Sequence, residues 1–181
     1  RNEDGLPGAV VETHDGETPL ETAVRQAEPG QFILVGEGGF GQVDEKGYTL
    51  TIPEDKDGLT ILGANAGTAA QDTRKTESVI NGFIDVQSDN VTLDGFRVIS
   101  TFQSGGDKFI KLDNSDNTTL SNNITTVQTI ANDEGGADAG GIGVDAGPDD
   151  TVEDNIFAFQ GNLMGRGDTF VAEAEGNDVF G

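Results

Sequence analysis

Asp89-Asn90-Val91-Thr92-Leu93 and Asp116-Asn117-Thr118-Thr119-Leu120 are two copies of one phrase, and further copies stand at Asp57-Gly58-Leu59-Thr60-Ile61 and Asp149-Asp150-Thr151-Val152. The copies align on Thr60, Thr92, Thr119 and Thr151, which are 32, 27 and 32 residues apart. The last two also share Asn123-Ile124 and Asn155-Ile156, beginning four residues past the threonine. A period of this length, filled with short apolar segments and Gly, Asn and Asp turns, marks a stacked repeat.

Each unit holds short β segments: Phe83–Val86, Val91–Leu93 and Phe96–Ile99, then Phe109–Leu112, Thr119–Leu120 and Ile124–Val127. Segments this short cannot bury a face alone. A chain that coils so that each unit stacks on the one before forms three parallel sheets around a narrow core. The expected fold is all-β, a short parallel β-helix. The residues after the aligned threonines, Ile61, Leu93, Leu120 and Val152, are expected to form one interior column, its members about 4.8 Å apart. Gly58, Asn90, Asn117 and Asp149, two before the threonines, are expected in a turn column, where Asn tolerates left-handed backbone and can ladder its amide to the next rung. Phe96 stands where the later copies have Asn123 and Asn155, which reads as a slip of register after the second copy.

Ahead of the repeats the pattern becomes helical. Thr18-Pro19-Leu20-Glu21 is a capping box with Pro at the first helical position, Leu20, Ala23, Val24 and Ala27 keep helical spacing, and Pro29-Gly30 ends the run. The reading is one domain over 1–181: a capping helix over 18–29, a first strand Phe32–Val35, and rungs over 32–181. A helix laid across the open end of a coil shields its core and backbone from water. Asp178-Val179-Phe180 reads as the opening of another rung, so the coil is expected to continue beyond this chain or to meet another subunit. With Arg1 in place of an initiating Met, the chain reads as a processed product or a piece of a longer one.

Asp and Glu number 33 against 10 Lys and Arg, a net charge of −23, and they are spread over the whole length. Such a surface repels nucleic acid and anionic lipid. With 34% hydrophobic residues the chain needs its self-repulsion screened, and at 1 M salt the Debye length falls to about 3 Å. The composition therefore points to a salt-saturated environment. The absence of Cys excludes disulfides and thiol chemistry. No apolar run approaches the length of a membrane span, so no direct membrane insertion is expected.

The stretch Thr18–Gly67, with "TPLETAVRQAEPG", "QFILVGEGGF" and "DGLTILGANAG", resembles the opening of right-handed β-helix proteins of the pectin-lyase-like superfamily. The units "SDNVTLDGFRV", "SDNTTLSNNIT" and "PDDTVEDNIFAF" look like that superfamily's rungs. The resemblance implies a right-handed coil, and the acidic composition resembles proteins of halophilic archaea. It does not choose a function, since the superfamily holds polysaccharide lyases, glycosidases, adhesins and viral spikes.

Gly36-Glu37-Gly38-Gly39-Phe40-Gly41-Gln42-Val43 matches a kinase glycine-rich loop, but no other kinase motif accompanies it, and a glycine turn after the first strand is the expected reading. Gly140–Asp145 resembles one copy of a calcium-binding nonapeptide, and Arg166-Gly167-Asp168 an adhesion tripeptide, both read as turns. Asp113 and Asp145 each lie six residues before an aligned threonine, so they are expected to stack, with calcium relieving their repulsion. The superfamily's lyases use calcium with an Arg or Lys base, which makes Lys111, Lys108 and Arg97 the candidates by resemblance. Asn90, Asn117 and Asn123 head glycosylation sequons. The leading expectation is a non-enzymatic structural or adhesive protein of the extracellular space, cell surface or virion, its partners copies of itself or surface glycans and no nucleic acid. The alternative is a calcium-dependent polysaccharide lyase or a glycoside hydrolase.

Overall fold

The computed structural model describes residues 18–41, 48–102, 110–112, 115–129, 144–145, 149–160 and 178–180. Among the described residues it has one helix, α1, spanning Pro19–Gln26. Thr18 Oγ1 accepts the Glu21 N–H at 3.2 Å, and the Glu21 carboxylate accepts the Thr18 N–H at 2.7 Å, so the predicted capping box is formed. The helix stops short of the expected 29 because Pro29 disfavours helical backbone in the residue before it, and Ala27 is already extended.

The strands follow as β1 (Phe32–Leu34), β2 (Gly38–Phe40), β3 (Tyr48–Ile52), β4 (Thr60–Leu62), β5 (Ser78–Asn81), β6 (Phe83–Val86), β7 (Thr92–Asp94) and β8 (Phe96–Phe102). Then come β9 (Ile110–Lys111), β10 (Thr119–Ser121), β11 (Ile124–Thr129), β12 (Val144–Asp145), β13 (Thr151–Glu153), β14 (Ile156–Gln160) and β15 (Asp178–Phe180). They form three sheets, ordered β1-β4-β7-β10-β13, β2-β5-β8-β11-β14-β15 and β3-β6-β9-β12. Pairing is parallel throughout, and the first four strand triplets each add one strand to every sheet, after which β13 extends the first sheet and β14 and β15 the second: an all-β parallel β-helix with one helix among the described residues.

Thr60, Thr92, Thr119 and Thr151 stand in one register line on the first sheet, headed by Phe32. Behind them the predicted interior column of Ile61, Leu93, Leu120 and Val152 is buried. The other sheets supply Ile80, Phe96 and Val98, and Leu50, Ile52, Ile84, Val86, Ile110 and Leu112. Leu20, Val24 and Ala27 of α1 join the same core, and α1 packs on β3. Lys56 fastens the helix. Its buried ammonium donates to Arg25 O at 3.2 Å and Ala27 O at 2.9 Å, where the last carbonyls of a helix carry partial negative charge, with Asp55 3.2 Å away.

The expected register slip does not occur. Ile124 pairs with Arg97 and with Ile156, so the backbone stays in step and only the side chain changes, Phe96 for Asn123. Asn90 (φ 58°) and Asn117 (φ 56°) are left-handed beside Gly58 (φ 73°), as the turn column requires. Their predicted amide ladder is replaced by carboxylates: Asp57 Oδ1 accepts Asp89 N–H at 3.2 Å and Asp89 Oδ1 accepts Asp116 N–H at 2.9 Å. The glycine run is a strand rather than the expected turn. β2 pairs with β5, and Gly38 holds φ +136°, which a side chain would resist.

Candidate functional site

Alternation along β6 sends Ile84 and Val86 into the core and Asp85 to the outer side of the third sheet. Register then sets Thr51, Asp85, Lys111 and Asp145 side by side on successive strands, with Lys111 between two acidic positions. Asp85 is 6% exposed. Its Oδ2 accepts Gln87 Nε2 at 2.7 Å, while Oδ1 is buried without a hydrogen-bond partner. A buried carboxylate oxygen left open is costly, and native structures keep few such groups. The signal in the sequence was a single acid inside the apolar run "FIDV", passed over because the threonines alone set the alignment.

The expected stack of Asp113 on Asp145 involves Asp113, which lies outside the described residues; Asp145 itself pairs with Lys111, two residues before Asp113. Counting back from the threonines failed because the turn from third to first sheet varies in length. Thr51, Asp85, Lys111 and Asp145 precede their threonines by nine, seven, eight and six residues. Arg97 is exposed on the second sheet, on a different sheet from Lys111. Lys108, His14, most of Gly140–Asp145 and Arg166-Gly167-Asp168 lie outside the described residues. Asn90 and Asn117 are exposed. Asn123 is buried with its amide nitrogen donating to Leu93 O at 3.1 Å, so it offers no acceptor at the surface.

A second polar cluster lies at the corner between the first and second sheets. Later rungs turn this corner tightly at Gly95, Asn122 and Asp154, but residues 63–77 make a strap along it. Gly67 N–H donates to the Asp94 carboxylate, Ala70 N–H to Asp154 O at 3.1 Å, and Arg74 to Asn122 O at 2.6 Å. Arg74 also grips Glu77 with two parallel bonds of 2.8 and 2.9 Å. Burial alone would push the Glu77 carboxyl up. The bonds and charge of Arg74, the Asn65 amide and the field of Arg97 outweigh it and hold the carboxyl below its ordinary value. The strap was not foreseen, because its residues break the repeat without a periodicity of their own.

The third feature is apolar. Phe32 and Leu34, on the outer side of β1, are each 71% exposed. Next to them a hollow of about 280 Å³ opens between α1 and the first rung. Among the described residues no three His, Cys, Asp or Glu side chains gather to hold a metal, and no helix is long and apolar enough to cross a membrane. No protein-family model, no curated protein and no solved structure matches the chain.

Proposed function

We propose that the chain is a non-enzymatic structural or adhesive module displayed outside a cell or on a virion in a salt-saturated environment, and that it holds glycan on the outer side of its third sheet. The reading rests on the parallel coil itself, whose outer positions on the third sheet, Lys111 among them, stand side by side from rung to rung. The coil repeats those positions about every 4.8 Å, which suits an extended polymer such as a glycan. The test is glycan retention in multi-molar KCl. Binding that falls at least tenfold in Lys111→Ala is expected; equal retention by wild type and variant would sink the reading.

A further inference from the structure

We infer that Asn90 and Asn117 are N-glycosylated as a pair and that Asn123, which heads the same kind of sequon, is left bare. The three sequons are Asn90-Val91-Thr92, Asn117-Thr118-Thr119 and Asn123-Ile124-Thr125. A transferase reads the asparagine together with the hydroxyl two residues on, and alternation along extended backbone sends those two side chains to the same side. In the first two sequons the middle residue, Val91 or Thr118, is fully buried, the asparagine is exposed and the threonine stands on the outer side of the first sheet. The third has the opposite parity: Asn123 is 3% exposed and Thr125 1%, with Ile124 between them partly exposed. The coil thus presents two sequons to solvent and folds the third into its interior.

The amides differ in the same sense. Asn123 Nδ2 donates to Leu93 O at 3.1 Å and Asn122 Nδ2 to Asp94 Oδ1 at 2.7 Å, whereas neither Asn90 nor Asn117 gives its amide to any group among the described residues. Register sets these two on successive rungs, because Thr92 pairs with Thr119, so they stand one strand spacing, about 4.8 Å, apart. Gly58 on the rung before and Asp149 on the rung after carry no amide, which limits the site to the pair. The donor is a glycan carried on a lipid phosphate. The amide nitrogen bonds the anomeric carbon, the bond from that carbon to the phosphate oxygen breaks, the phosphate leaves with the electron pair, and the nitrogen gives up one proton. The inference rests on the proposed display outside the cell.

The test is to export the chain through an added secretion leader from a halophilic archaeal host that glycosylates its own surface proteins, and to read the product by intact mass and peptide mapping. Glycan on Asn90 and on Asn117, and none on Asn123, is expected. Asn90→Gly and Asn117→Gly are each expected to remove one glycan, and glycine suits the left-handed backbone there, as Gly58 shows at the same place one rung before Asn90. Thr92→Val and Thr119→Val keep both amides and are expected to lose the same glycans. An exported chain bare at both positions, a glycan on Asn123, or an added mass that survives the paired glycine variant would overturn the inference. The leader supplies export, so a bare product counts against these two sites and not against display. Recovery of the native protein from the cytoplasm alone would overturn display, and the inference with it.

Discussion

The side-chain oxygen of Asn155 accepts the backbone N–H of Asn123, one rung back, at 2.8 Å. Asn123 repeats the arrangement toward Phe96 at 2.9 Å, and both amide nitrogens donate to carbonyls inside the coil. The two asparagines thus satisfy backbone that turns a tight corner away from water. Asn123→Leu strands the buried Phe96 N–H and the Leu93 carbonyl, and is expected to cost about 2–4 kcal/mol, read as a lower urea midpoint at constant salt.

Arg74 binds the strap to the body of the coil, and its removal leaves the Glu77 carboxylate part-buried without its cation. Arg74→Ala is expected to cost about 2–3 kcal/mol. The pH dependence has a definite sign. Because the folded Glu77 carboxyl is lowered, its contribution is present above the unfolded pKa and is lost as pH falls through the folded one. Acid titration of stability in wild type and Glu77→Gln should therefore converge at low pH and differ near neutrality.

Gly95 lets the strap lie against the corner. A Cβ there would stand 2.1 Å from Ala66 N, on a backbone with φ +81°. Gly95→Ala is expected to lift the strap and to cost roughly 2–4 kcal/mol, with faster hydrogen exchange at Gly67 and Ala70.

Thr125 offers the opposite experiment. Its Oγ1 is buried in the interior column of the second sheet with no hydrogen-bond partner. Thr125→Val removes the orphaned hydroxyl at nearly constant volume and is expected to stabilise by about 1 kcal/mol. A loss of stability on thermal melting would mean that the hydroxyl has a role the packing does not reveal.

Lowering salt is expected to unfold the chain at constant pH, as 33 carboxylates lose their screening. Circular dichroism during dilution from multi-molar KCl checks this. A β signal that persists in dilute buffer would remove the case for a salt-saturated habitat.

The repeat was legible because Thr60, Thr92, Thr119 and Thr151 occupy one register line, so that counting between them equals climbing the coil. The capping helix was legible because Thr18 and Glu21 make a purely local device. Asp85 beside Lys111 was not, since their adjacency depends on turns whose lengths differ from rung to rung. Gly95 explains the missed strap in the same way: its meaning lies in Ala66, a residue brought to it only when the coil is complete.

Lys56 carries a consequence for the order of assembly. It follows its acceptors Arg25 and Ala27 by 31 and 29 residues. During vectorial synthesis α1 is made before the group that latches it, and an isolated eight-residue helix is marginal in water. The end of the molecule that is translated earlier is therefore secured later, after the chain has advanced to the second turn of the coil.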